Sequence, residues 1–163
     1  MSAGDTTDDP DELSLQERYA PHNACFGCGP ANAKGLRLRS FATDDGVRAT
    51  FEPEAHHEAF PGVLNGGIIG ALLDCHANWT AAITLMQARG EASPPCTVTA
   101  EFSVKLRAPT PTGRPLALLA RPVQTSEDRC TVDAELSCDG KVTASMRGTF
   151  VAVKEGHPAY HRW

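Results

Sequence analysis

The chain has 163 residues, 41% of them hydrophobic and 21% charged, with a formal net charge of −5. Such a composition fits one soluble domain with a real core. The acidic balance, with no long Lys/Arg run, argues against a nucleic-acid partner and against an anionic membrane surface.

Residues 1–20 are acidic and poor in large apolar side chains, which predicts a flexible arm with one helical turn around Leu13 to Tyr19. No basic segment leads into an apolar run there, so no secretory signal is expected. Six cysteines (25, 28, 75, 96, 130 and 138) are spread along the chain. Cys96, Cys130 and Cys138 take the places of Val-like residues in alternating patterns, as buried free thiols do in a reducing compartment. A cytoplasmic protein is expected. The domain is expected over 21–153, followed by a tail, 154–163, packed loosely or against a partner subunit.

The first chemical signal is "HNACFGCGPANAKG", with Cys25 and Cys28 three apart. A structural zinc site takes four ligands, usually from two pairs. No second C-x-x-C exists, and the nearby supplements are His22 and the His56–His57 pair. A redox pair normally opens a helix, whereas Gly, Pro and Asn follow here, and then a strand. The pattern therefore predicts a packed loop and no metal.

"GLRLRSF" and "GVRATF" alternate around the turn signal "TDDG", a hairpin. From Asn65 to about Gln87 no proline occurs and apolar residues crowd nearly every face, predicting one long helix wrapped by protein. Asp74, His76 and Asn78 interrupt its middle and no basic anchors flank it, which argues against a membrane span. His76 and Trp79 are expected in the core or at an interface. After "GEASPP", the run "CTVTAEFSVKLRA" alternates strictly, with Cys96, Val98, Ala100, Phe102, Val104 and Leu106 on the face expected to meet the helix. "LALLARPV", "CTVDAELSC" and "KVTASMRGTFVAV" supply three more strands in meander order, the last two joined by the hairpin turn "CDGK". The predicted fold is α+β: an antiparallel sheet of five to six strands curled around one central helix.

The helix entrance, "FPGVLNGGIIGALLD", carries the functional expectation. Asn65 is a good N-cap, and Gly66 and Gly67 open the first turn at a cost of about 1 kcal/mol each against Ala. Open N–H groups at the positive end of a helix suit a negatively charged oxygen; small residues that admit another backbone are the other explanation. Asp74 is an ionisable group in an apolar helix, costly unless paired or functional. It lies nine residues beyond Asn65, about 13 Å along the axis and roughly 180° around it. Mouth and carboxylate cannot converge on one carbonyl within a subunit. A shared site requires two antiparallel subunits, and a twofold dimer makes two such sites.

"FPGVLNGGIIGALLDCHANWTA", "VTAEFSVKLRAPTPTGRPL" and "CFGCGPANAKGLRL" resemble the hotdog-fold acyl-CoA thioesterases, especially the phenylacetate-pathway type, over roughly residues 25–153. The resemblance implies a hotdog fold, a homodimer or homotetramer, and hydrolysis of an acyl-CoA with no cofactor beyond the coenzyme A of the substrate. It implies that a Gly66 or Gly67 N–H polarises the thioester carbonyl, and that Asp74 of the other subunit acts as nucleophile or base. Thr99 matches a Ser/Thr that holds that carboxylate or its water, although the alternation puts Thr99 on the face away from the helix. Asn65 stands where many relatives have His, and Ala59 where some have Asn; His57 or Glu58 is the local substitute. Phe60, Leu64 and Trp79 are candidates for the acyl pocket, and Lys105, Arg107 and Arg114 for the coenzyme A phosphates. Two other readings stay open: a hydroxyacyl-thioester dehydratase, whose base would be His56 or His57 of "HHEAFPGVL", and a non-catalytic acyl-CoA binder.

Overall fold

The computed structural model describes residues 10–161. The chain begins with α1 (Leu15–Tyr19), capped by Ser14, whose hydroxyl accepts from the Glu17 N–H while the Glu17 carboxylate accepts from the Ser14 N–H. This turn is docked, not free. Ser14, Leu15, Gln16 and Ala20 are buried, and the Gln16 amide exchanges two hydrogen bonds with Ser40. The flexible arm expected over 1–20 therefore does not extend to Ser14–Ala20, because a paired polar side chain is buried there at little cost. Residues 1–9 of that arm lie outside the described residues.

β1 (Ser40–Ala42) and β2 (Val47–Phe51) form the expected hairpin, although 35–39 of "GLRLRSF" is not strand. A 3-10 turn (Ala55–His57) leads into the small ribbon β3 (Glu58–Phe60) and β4 (Val63–Leu64). Then comes α2 (Gly66–Arg89), capped by Asn65 and ended by Gly90, whose φ of 65° is the left-handed conformation that glycine adopts without penalty. α2 is long and apolar enough to cross a membrane, yet most of that stretch is buried within the protein.

The remaining strands are β5 (Thr97–Leu106), β6 (Leu116–Thr125), β7 (Arg129–Cys138) and β8 (Lys141–Ala152). The β7–β8 turn places Asp139 and Gly140 at φ of 49° and 79°, the geometry that "DG" hairpins favour. The six-stranded sheet runs β1-β2-β6-β7-β8-β5. The meander expectation holds for β6–β8 only. β5 pairs with β8 at the far edge, and the segment after it returns past the mouth of α2, where the Thr110 carbonyl accepts from the Leu64 N–H at 2.9 Å. Inward residues of β6, β7 and β8, among them Leu118, Val132, Leu136 and Phe150, close on Leu72, Leu73, Trp79 and Leu85 of α2. One helix held by a curled antiparallel sheet is the hotdog fold.

β5 corrects one expectation. Thr97 and Thr99 pair with Ala152 and Phe150 of β8, both inward residues, but Glu101 then pairs with Thr149, leaving Ala100 as an extra residue. This bulge reverses the parity of the strand. Before it, Thr97 and Thr99 face the helix; after it Phe102, Val104 and Leu106 share the face of Gly148, Met146 and Ala144. A strict alternation read across the bulge puts the first half of the strand on the wrong face.

Candidate active site

The bulge aims the two threonines at α2. The Thr99 hydroxyl donates to Asp74 Oδ1 at 2.7 Å, and the Thr97 hydroxyl donates to Asn78 Oδ1. Four helical residues rise about 6 Å and two strand residues about 6.6 Å, so positions 74 and 78 stay in step with 99 and 97. Asp74 is half-buried. Burial raises its carboxyl above the ordinary carboxylate range, the Thr99 hydroxyl opposes that rise, and the neighbouring Cys25 adds to it.

At the other end of the helix, Asn65 Oδ1 accepts from the N–H of Gly67 at 2.8 Å and of Ile68 at 3.3 Å. The cap thus occupies Gly67 and leaves the Gly66 N–H as the donor of the first turn without a partner among the described residues. A Cβ on Gly66 would meet only the tip of Leu106, at 3.2 Å, and one on Gly67 only the cap oxygen, at 3.0 Å. Among the described residues no backbone from outside α2 packs on the glycine pair, so close packing against another segment there does not account for it. Beside Gly66 opens a cleft of about 340 Å³ lined by Phe60, Leu64, Ile69, Leu106 and Arg107. Phe60 is 61% exposed and Leu106 58%, so the cleft presents apolar surface to solvent.

The other candidates fall elsewhere. Arg107 reaches the cleft but also donates from Nε to Ser145 Oγ at 2.9 Å, and with Lys105 it lines a second hollow on the outer face of the sheet, near Asp133, Glu135 and Arg147. Arg114 pairs with Asp139. His57 is buried; its Nδ1 accepts from the Glu54 N–H at 3.0 Å, and its ring packs on Phe51, away from the cleft. Burial, and then the neighbouring His56, hold its pKa below the usual histidine value. Glu58 accepts from Gly62 N–H and the Thr112 hydroxyl, holding the ribbon together. His76 is a core residue: Ser40 Oγ lies 2.9 Å from its Nδ1 and the Val47 carbonyl oxygen 3.0 Å from its Nε2. Trp79 is likewise buried in the core.

Cys75 carries no signal of its own in the sequence, and the fold gives it two neighbours. Its sulfur lies 3.7 Å from that of Cys25, and the sulfurs of Cys25, Cys28 and Cys75 all lie within 4.8 Å of one another. Cys28 is buried and the other two are half-buried. The neighbouring Cys28 thiol first, then that of Cys75, holds the Cys25 thiol below the ordinary range. The "CFGCG" loop therefore lies against α2 one residue from Asp74. His22, the nearer supplement in sequence, is exposed and outside the trio.

Fold and site together describe a hotdog protein with a half-buried, hydrogen-bonded carboxylate on its central helix and an open helix mouth beside an apolar cleft. Solved structures similar to this chain include thioesterase superfamily proteins. One from Shewanella loihica PV-4 is 28% identical with a TM-score of 0.60, matching 77% of this chain and 98% of its own. A phenylacetic acid degradation-related protein from Ralstonia eutropha JMP134 is 26% identical, with a TM-score of 0.62 over 75% of this chain and 89% of its own. A Streptococcus mutans UA159 protein solved with acetyl-CoA bound shares the fold at 19% identity and a TM-score of 0.60, over 71% and 88%. No family model and no curated protein matches the sequence.

Proposed function

We propose that this protein hydrolyses the thioester of an acyl-CoA, or of another acyl thioester, in a site shared between two protomers. The observation that carries the reading is Asp74, a half-buried carboxylate on the central helix held by the Thr99 hydroxyl at 2.7 Å. Its structural neighbours' thioesterase character and the acetyl-CoA in one of them support the substrate class.

Acyl transfer needs a donor aimed at the carbonyl oxygen and a base or nucleophile about 3 Å from the reacting atoms. The uncommitted Gly66 N–H at the positive end of α2 suits the oxyanion. Asp74 suits the attack, either by taking a proton from water and passing it to the departing thiolate, or by attacking the carbonyl carbon itself and leaving a mixed anhydride for water to hydrolyse. Either route consumes one water and yields an acid and a free thiol. The two groups lie about 12 Å apart along α2. One thioester therefore meets the mouth of one protomer and the carboxylate of another.

The edge of the sheet supports such a partner. β5 has a neighbour on one side only among the described residues, and it carries Phe102, 46% exposed, and Leu106 on its helix-side face. A long, open edge strand with exposed apolar side chains on one face is a surface that proteins cover. Thiol release from a panel of acyl- and aroyl-CoA thioesters, run beside hydration of an enoyl-CoA, tests the function. Hydrolysis of at least one thioester without hydration is the expected result; hydration alone would make the protein a lyase, and no turnover on the whole panel would leave a binder.

A further inference from the structure

The three-cysteine cluster takes no part in the proposed thioester hydrolysis, and its role stands independently of that reaction. We infer that Cys25, Cys28 and Cys75 form a three-thiolate binding site for a thiophilic divalent cation, zinc, which fastens the "CFGCG" loop to α2 beside Asp74.

The spacing of the sulfurs is the first argument. Two thiolates about 2.3 Å from a tetrahedral zinc ion stand about 3.8 Å apart. Cys25 Sγ and Cys75 Sγ are 3.7 Å apart, and Cys28 Sγ completes the trio within 4.8 Å. A disulfide would need sulfurs about 2.05 Å apart, so the Cys25–Cys75 pair would have to close by well over 1 Å. The observed separations suit a shared ion better than a bond.

The second argument is the construction of the loop. The Asn23 side chain accepts from the Cys25 N–H at 2.8 Å, and Gly29 N–H donates to the Cys25 carbonyl at 2.9 Å. Phe26 and Gly27 carbonyls accept from Leu36 and Leu38, so the backbone between the cysteines is tied down. Gly27 lies directly over the third ligand: a Cβ there would sit 2.4 Å from Cys75 Sγ. Gly29 could not carry one either, since it would meet Cys25 N at 2.3 Å. Gly27 therefore lets the loop approach the helix closely enough for its sulfurs to reach Cys75, and Gly29 lets the loop fold tightly on its own backbone. A loop that only needed to cover apolar surface could keep its side chains.

The third argument is selectivity within the molecule. Cys96, Cys130 and Cys138 are also free thiols, yet among the described residues none joins another sulfur in a ligand cluster. Among the same residues no carboxylate or imidazole joins the three sulfurs within the same distance. The fourth tetrahedral position is left to water, which half-buried Cys25 makes accessible.

The test uses the full chain, free of any polyhistidine tag and kept reduced. Elemental analysis of protein purified without added metal should find about one zinc per chain. Stripped protein should take up cobalt(II) with the near-ultraviolet absorption of thiolate-to-cobalt charge transfer and the visible bands of a tetrahedral ion. Cys25→Ser, which removes the most exposed ligand and is the least disruptive change, should lower zinc retention at least tenfold, whereas Cys96→Ser should leave it unchanged. If Cys75→Ser fails to fold, the cobalt titration of the wild-type chain still decides. The inference is overturned if the reduced wild-type chain takes up neither ion at micromolar concentration, if Cys25→Ser retains zinc as well as the wild type does, or if mass spectrometry of anaerobically purified protein finds a metal-free disulfide among the three cysteines.

Discussion

Asp74→Asn separates the chemical role of the carboxylate from its structural one. The amide has nearly the same volume and keeps an oxygen for the Thr99 hydroxyl, so the 2.7 Å hydrogen bond survives. It also removes a charge whose burial is unfavourable, as the raised carboxyl shows. The folded state should therefore be as stable as the wild type or slightly more so. Turnover should not survive. Loss of a positioned base costs about 10²–10⁴-fold in rate, or roughly 3–5 kcal/mol in the barrier. Thr99→Val, which removes the donor and leaves the carboxylate, should cost about tenfold, because the carboxylate remains but loses its aim. In the double variant the two losses should not add, since Thr99 acts only through Asp74. Thiol release on the best thioester of the panel gives the rates, and thermal unfolding gives the stabilities. If Asp74→Asn retains turnover within about threefold of the wild type at equal stability, the carboxylate does not do the chemistry and the proposed mechanism is wrong.

Three further outcomes rest on the same geometry. Gly66→Ala should fold, because its Cβ meets only the flexible end of Leu106 at 3.2 Å and Ala favours a helix by about 1 kcal/mol, but it should lower kcat/KM about tenfold or more by crowding the free N–H; unchanged kcat/KM would remove Gly66 from the site. Mixed dimers of Asp74→Asn with an inactive Gly66 variant should recover about a quarter of wild-type activity, since half the dimers are mixed and each has one intact shared site; no recovery after confirmed subunit exchange would place both groups in one protomer's site. Acid should destabilise the protein through His76, whose burial lowers its pKa from 6.5 to about 4. Between those values the unfolded chain binds a proton that the native one refuses, so stability is full above pH 6.5 and falls as pH drops towards 4, by up to roughly 3 kcal/mol. Urea midpoints at pH 7 and pH 4.5 for the wild type and His76→Asn measure this as a difference of differences; equal losses in both would show that His76 is not the group responsible.

The parts of this structure legible in the sequence are those fixed by local physics. Asn65 and Gly90 bound α2 because a capping side chain and a left-handed glycine satisfy helix ends wherever the helix lies in the fold. The β7–β8 turn is legible for the same reason. Alternation misplaces the first half of β5 because one unpaired residue, Ala100, reverses every side chain on one side of it, and nothing in an alternating run marks where such a residue falls. The edge position of β5 depends on how the sheet closes around α2, which is a property of the whole chain. Hydropathy predicts a mobile α1 because it counts Gln16 and Ser40 as solvent-seeking, while their mutual hydrogen bonds permit burial. The same distinction governs the candidate site. Asp74 stands out because a carboxylate is costly in an apolar helix whatever surrounds it, whereas Cys75, one residue later, is an ordinary apolar residue until the loop 47 positions earlier in the chain is folded onto it. A cysteine pair that lacks its remaining ligands in the linear sequence is therefore weak ground for excluding a metal, because a helix packed under the loop can supply the next sulfur without any spacing rule to announce it.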